Sequence, residues 1–248
     1  MRRIAIVSSP RSGNTWVRKI IAGAMNIQEI AVHNYLDISG EIPEECVLQV
    51  HWYREPNFQK WLVDNGFKVV VVSRHPLDVL LSVLNFARYA PQANRWLQGN
   101  TEVQSLSEDI DPVSEEFLRF AMGFGFENLL SVSYQWWHEP SALKVRYEDC
   151  VSAPAAIFGQ LIEELGGEAG SVPEFLERFS LQNMRDSPTR HGWQGRPGLY
   201  KELIPTFFAV RIYWSHRRLF QRMNYGLTPY FLSPGKAKAL WQELSVRP

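Results

Sequence analysis

Three stretches of the 248-residue chain carry residues that could act together on an anion. The first is SSPRSGNTW, Ser8–Trp16, which follows the apolar run IAIV and leads into a helical pattern. The amides of such a loop and the helix N-terminus offer partial positive charge. Arg11 adds a permanent planar cation, and Thr15 can donate from the first helical turn. The phosphate-loop spacing G-x-x-x-x-G-K-[ST] is only half met. Ser8 stands at the first glycine position, and Gly13, Asn14 and Thr15 stand at the last three, so the lysine is missing. A plain strand-to-helix turn with a surface arginine is the competing reading.

The second stretch, SRHPLDVLLS (73–82), closes the valine run KVVVV. A nucleotide hydrolase needs an acid there to hold Mg²⁺, but the position carries Ser73 and Arg74. The anion is expected to be neutralised by arginine, with no metal. Arg74 at the strand end and Ser82 two helical turns on can converge on one anion. Alternatively, Arg74 pairs with Asp78 and Ser82 is packing. The third element is His51, which ends CVLQVH (46–51). Ligands of open α/β sheets bind outside the carboxyl ends of the strands, and an imidazole there can take a proton from a hydroxyl near neutral pH. A structural histidine is the competing reading.

These groups need a scaffold with several strand ends on one edge. RIAIV (3–7), CVLQVH, KVVVV (68–72) and ALKVRY (142–147) read as strands, and the unbroken valine run suits a parallel strand covered on both faces. Helical patterns fall at 15–25, 57–66, 76–89, in PVSEEFLRF and ENLLSVSYQWW, at 152–167 with Ser152 as cap and Gly166 as stop, and at 205–223 as a last long helix. Residues 90–111 and 183–204 read as loops. The alternation, with no repeat or linker, predicts one α/β domain over 1–248 with a mostly parallel sheet flanked by helices.

Hydrophobic content of 45% and charged content of 21% fit a folded globular protein and exclude a disordered one. The net charge of zero argues against a general nucleic-acid or anionic-membrane binder, a local basic pocket apart. Cys46 and Cys150 are too far apart for a metal or disulfide framework, which fits a reducing cytoplasm. The apolar run after MRR is too short for a secretory h-region, and no window is long enough to span a membrane.

Taken in order, the motifs resemble those of the sulfotransferases that use 3′-phosphoadenosine 5′-phosphosulfate (PAPS), whose domain is P-loop NTPase-like. PRSGNTW (10–16) is similar to the family's P-K-S-G-x-T-W, with Arg11 for lysine. SRHPLDVLLS is similar to R-[ND]-P-x-D-x-x-x-S through Arg74, Pro76, Asp78 and Ser82. QVH (49–51) falls at K-T-H, with Gln49 for lysine, RYED (146–149) at Y-E-D, and HGWQGRPGLYKELIP (191–205) at the C-terminal glycine-rich segment, with Trp193 and Gln194 where Arg and Lys are expected.

The resemblance implies sulfonate transfer by in-line attack, with His51 as base and Arg11 and Ser82 beside it in the catalytic centre. It implies that Arg11, Ser12, Gly13, Asn14, Thr15 and Trp16 hold the 5′-phosphosulfate end, with Trp16 near the adenine. Arg74 and Ser82 would hold the 3′-phosphate, Tyr147 would face the adenine, Gly195 would give its amide, and Arg190 or Arg196 would supply the shifted cation. PAPS is the implied co-substrate, without metal. The acceptor is a hydroxyl on a small molecule or glycan. Its expected lining is the aromatic-rich segments 33–40, 52–56, 86–111 and 120–140, with Trp52, Tyr53, Phe86, Tyr89, Trp96, Phe124, Phe126, Tyr134, Trp136 and Trp137. Two rivals stand beside this. One is a P-loop small-molecule kinase or NTPase, against which count Asn14 for lysine and the strand without its acid. The other is a non-catalytic nucleotide-binding relative, which Gln49 favours and His51 opposes.

Overall fold

The computed structural model of the protein describes residues 2–186 and 192–245. Five strands, β1 (Arg2–Val7), β2 (Gln28–Val32), β3 (Glu45–Val50), β4 (Phe67–Ser73) and β5 (Leu143–Arg146), form one sheet in the order β2-β3-β1-β4-β5. Every pairing is parallel, with Val7 opposite Val50, Val32 opposite Val50, Ile6 opposite Val70 and Ser73 opposite Arg146. All five strand ends therefore share one edge.

Side chains alternate between two buried faces. Ile4, Ile6, Val47, Val70, Val72 and Val145 meet helices α1 (Asn14–Met25), α7 (Pro154–Glu164) and α8 (Val172–Arg178). Ala5, Val7, Leu48, Val50 and Val71 meet the other face, covered by α2 (Pro56–Asp64), α3 (Pro76–Ala87) and α5 (Phe124–Trp137). This is why KVVVV carries no polar alternation. The chain leaves β1 toward one face and the adjacent β3 toward the other, and β4 and β5 diverge in the same way. Each divergence opens a crevice at the strand ends. The remaining helices are α4 (Glu115–Met122), α6 (Tyr147–Ser152), α9 (Leu181–Asp186), α10 (Tyr200–Leu203), α11 (Thr206–Ser215), α12 (Arg217–Arg222) and α13 (Pro234–Leu244). No described helix is long and apolar enough to cross a membrane.

The structure corrects several expectations. Strand β2 was not legible, because its sequence QEIAV is largely exposed at the sheet edge and only Ile30 and Val32 pack against the core. Residues 90–111 contain 3₁₀ turns at Pro91–Gly99 and Val103–Ser105, and they bury Trp96, Leu97 and Val103 at irregular spacing. Ser152 does not cap α7. It ends α6, where its hydroxyl donates to Asp149 O, and Ala153 takes the cap position. The 183–204 loop includes the end of α9 and all of α10. The helix expected over 205–223 breaks at His216, whose Nε2 donates to Ala121 O at 2.8 Å. Nor is it the last, since α13 follows, with Ser233 Oγ accepting from Lys236 N.

Candidate active site

The loop after β1 is held from both sides. Ser8 Oγ accepts from Val72 N at 2.6 Å, Ser9 N donates to Ser133 Oγ at 2.8 Å, and Ser133 N donates back to Ser9 Oγ at 3.1 Å. Ser133, on α5, was not anticipated. Ser12 is buried within the turn, its amide reaching Ser9 O. Gly13 sits at φ 101°, and a Cβ there would lie 2.5 Å from Tyr147 Cδ2, so both backbone and packing require glycine. Arg11 also takes a left-handed φ of 66° and donates from Nε to Ser82 Oγ at 3.1 Å. Its guanidinium lies 4.3 Å from the centroid of the Phe86 ring. Burial, and then the neighbouring Arg74, bring Arg11 down to about 10.

Arg74 does not pair with Asp78. Its Nη1 donates to Arg11 O at 3.2 Å, its guanidinium lies 4.4 Å from the Tyr147 ring centroid, and its buried Nε has no partner. Asp78 instead accepts from Gly198 N at 2.6 Å and Tyr200 N at 2.9 Å, which ties the 192–200 segment to the first turn of α3. Glu148 is likewise committed, to His75 N and Tyr225 Oη, each at 2.8 Å. Two guanidinium groups therefore share one wall whose nearest acids bind elsewhere. Tyr147, edge-on to Trp16, donates its hydroxyl to Gly195 O. Trp16 also packs edge-on against Phe158.

His51 follows β3 and is buried. Its Nδ1 lies 2.7 Å from Ser8 O, a carbonyl that can only accept, so the proton resides on Nδ1 and Nε2 is bare. Gln49 Oε1 accepts from Arg18 Nη1 at 3.0 Å, which turns the Gln49 amide nitrogen toward His51 Nε2 at 3.3 Å. Arg18 is itself fixed by Glu29 at 2.8 Å. Burial drives His51 down to about 4, the Ser8 carbonyl opposes this, and His33, Arg18 and Arg11 add to it. The ring is therefore neutral at physiological pH. His33, the residue after β2, has its ring 6.4 Å from that of His51 and a buried Nδ1 without a partner.

These groups line a cavity of about 630 Å³ at the sheet edge, whose lining contains no carboxylate among the described residues. Arg11, Gly13, Asn14, Thr15, Trp16, Arg74, Ser82, Tyr147, Gly195 and His51 are all brought to it. Arg196 reaches its rim, but it is exposed and its guanidinium is held by both carboxylate oxygens of Glu202, so its charge is already matched. Arg190 lies outside the described residues. Of the ten aromatics expected around an acceptor, only Phe86 and Trp96 line the cavity, stacked at 5.5 Å. Trp52, Phe126 and Trp136 are core, and Phe124 points to solvent. Sequence reasoning missed Arg18, and it included His33 only within the 33–40 segment expected to line the acceptor pocket, with no role of its own. The i to i+4 spacing of Asn14 and Arg18 on α1 was the available signal for the first.

The wall fits a multiply charged anion. The amides of Gly13, Asn14 and Thr15 have no acceptor among the described residues, as expected at a helix N-terminus. Asn14 Oδ1 and Arg74 Nε are buried and unpartnered. Among the described residues no three His, Cys, Asp or Glu side chains cluster as metal ligands.

Comparison with known proteins agrees with this geometry. The sulfotransferase domain family matches residues 1–194. The fold is similar to that of a mouse sulfotransferase complexed with PAP (TM-score 0.65, 14% identity, covering 88% of this chain and 84% of that one). It is also similar to retinol dehydratase in complex with androsterone and the inactive cofactor PAP (TM-score 0.64, 13% identity, covering 92% and 82%). A retinol dehydratase structure with retinol and PAP is similar too (TM-score 0.61, 15% identity, covering 92% and 83%). No curated protein sequence matches the chain. With most of its length under the family model, the chain belongs to the sulfotransferase family, the PAPS-dependent enzymes whose motifs it resembles.

Proposed function

We propose that this chain transfers a sulfonate group to a hydroxyl of a small-molecule or glycan acceptor, with His51 as general base. The observation that carries the reading is the fixed tautomer of His51. Nδ1–H is committed to Ser8 O, and the bare Nε2 lies in the cavity that holds Arg11 and the open amides of α1. PAPS, when bound, supplies the activated sulfonate.

The amides of Gly13, Asn14 and Thr15, with Arg11, hold the 5′-phosphosulfate end and stabilise charge growing on the departing phosphate oxygen. Arg74 and Ser82 hold the 3′-phosphate. Trp16 and Tyr147 bound the adenine, and Gly195 with its neighbours closes the cavity from the C-terminal segment. His51 Nε2 takes the acceptor proton once the hydroxyl displaces the long Gln49 hydrogen bond. Offsetting Arg11 and Arg18, two of the charges that depress His51, moves the imidazole back toward neutral pH, where it works best as a base.

The stacked Phe86–Trp96 pair and the nearby Ala31 and Val32 suit an alcohol with a flat or apolar body, a chemistry consistent with the androsterone and retinol of the retinol dehydratase complexes. The whole of residues 1–248 acts as one unit in this reading, since Trp193 Nε1 donates to Leu244 O at 3.0 Å and so ties the cavity wall to α13. The buried free thiols Cys46 and Cys150 suit the cytoplasm.

Two experiments test the proposal. A thermal shift with 3′,5′-adenosine bisphosphate, independent of Mg²⁺, is expected, worth about 2.7 kcal/mol at 100 times Kd. A shift seen only with ATP and Mg²⁺ would replace the transferase reading with a kinase. His51→Ala should lower turnover by roughly 10²–10⁴-fold and leave bisphosphate binding intact. Wild-type turnover in that variant removes His51 as the base.

A further inference from the structure

Beyond the last motif, charge and exposed aromatic surface coincide. Between Leu203 and Gln242 the sequence holds Arg211, Arg217, Arg218, Arg222, Lys236 and Lys238 but no Asp or Glu. A chain with a net charge of zero is therefore strongly polarised, and the remainder is acidic. In the same stretch Phe207 is 66% exposed, Trp214 60% and Phe231 90%.

The local structure explains how they come together. Phe208, Ala209 and Ile212 turn the inner face of α11 into the core. Phe207, Val210 and Trp214, spaced i, i+3 and i+7, are left on the outer face. Thr206 N donates to Leu232 O at 3.2 Å and Leu232 N to Thr206 Oγ1 at 2.8 Å, which places Phe231 beside the start of α11. Arg211 lies 5.4 Å from the Phe207 ring centroid and Arg217 5.1 Å from that of Trp214. The packed neighbour α4 carries Glu115 and Glu116, and Lys238 approaches Asp111 at 3.8 Å. Yet none of Arg211, Arg217, Arg218 and Arg222 has a carboxylate within ion-pair distance among the described residues.

We propose that α11, α12 and the 230–232 turn form a face that docks on an anionic lipid bilayer. Phe207, Trp214 and Phe231 enter the headgroup region, and Arg211 and Arg217, set against the Phe207 and Trp214 rings, meet the anionic headgroups, while Arg222 also donates to Tyr134 Oη at 2.8 Å. A protein partner of ordinary size requires a complementary surface of about 800 Å² per side. Single projecting rings flanked by arginines without carboxylate partners instead suit the bilayer interface, where aromatic side chains partition and cations find a continuous field of negative charge. The inference does not depend on the donor or acceptor assignments.

Co-sedimentation of the full chain with phosphatidylcholine vesicles, with and without one-third phosphatidylglycerol, tests it. Binding is expected only to the anionic vesicles and should weaken in high salt. Arg211→Gln with Arg217→Gln should lower the partition coefficient about 25-fold, at about fivefold per arginine. Phe207→Ser with Trp214→Ser and Phe231→Ser should abolish it while leaving the melting temperature unchanged. Absence of binding at low salt overturns the proposal, as does equal binding to neutral vesicles. A concentration-dependent dimer that the Phe207→Ser and Trp214→Ser changes dissolve would also overturn it, by assigning the face to a second copy of the chain.

Discussion

The two walls of the cavity are built on different principles. The donor wall is framed by main chain, with left-handed φ at Arg11 and Gly13 and open amides at the start of α1, and two guanidinium groups are anchored on it at Ser82 Oγ and Arg11 O. The adjoining wall is made of side chains: Phe86, on the same helix as Ser82 and against the Arg11 guanidinium, stacked on Trp96, with Ala31 and Val32 at the end of β2. Main-chain geometry admits little substitution, because one changed φ displaces every amide after it. A stack of rings tolerates exchange of volume for volume. Under the proposed function, one wall is fixed for a common donor, and the other is free to follow the acceptor.

This contrast can be broken most directly at Arg74. Arg74→Ala should weaken 3′,5′-adenosine bisphosphate by about 10²–10³-fold in titration calorimetry, since removing one buried charged partner costs roughly 2–5 kcal/mol. Arg74→Lys should recover only part of this. An unchanged Kd would show that the donor wall is not electrostatic.

A further large effect is pH-dependent. Burial holds His51 at about 4, and also lowers His33, His75 and His216. Each is protonated more readily in the unfolded chain, so stability is complete above about pH 6.5 and falls as pH drops through the depressed folded values. His51 alone accounts for about 3 kcal/mol between pH 6.5 and 4. Melting curves over that window check this, and His51→Asn should flatten them.

Arg18→Met sharpens the comparison on a finer scale. Removing a cation that depresses His51 should move the acid limb of kcat/KM to higher pH and lower kcat a few-fold, with bisphosphate affinity little changed. An unmoved limb would leave Arg18 as packing alone. The smallest effect is expected at Trp96→Leu, which should raise the acceptor KM and leave the donor Kd within about twofold. A larger loss of donor affinity there would mean that the two walls are not separate.

The same contrast explains what could be read in the sequence. Ser8–Trp16 and Ser73–Ser82 each put a turn, a cation and a helix start into consecutive residues, so the donor wall is a local pattern. His51 was placed by the apolar run before it. Strand β2 has no such run, so His33 beyond it had no visible register. Ser133 acts from α5 across a sequence separation of 124 residues, and nothing near it marks the contact. Arg196 was visible as a cation but its partner Glu202 was not, because the intervening turn brings them together. The acceptor aromatics failed for the same reason, since composition does not distinguish Trp96 at the cavity from Trp52 and Trp136 in the core.

Asp78 stands in the same ten residues as Arg74 and Ser82, yet its two hydrogen bonds go to amides 120 and 122 residues away. Glu148 reaches Tyr225 across 77 residues. The Ser9–Ser133 bonds that hold the loop span a similar 124 residues, but both of their partners precede the last third of the chain, whereas Gly198, Tyr200 and Tyr225 lie within it. The sheet edge and its open loop can therefore assemble while the polypeptide is still being synthesised, but the enclosing wall must wait for its last third. Refolding should run in two stages, with far-UV ellipticity recovering before the capacity to bind nucleotide. Simultaneous recovery in a stopped-flow experiment would show that the carboxylate latches close as early as the strands pair.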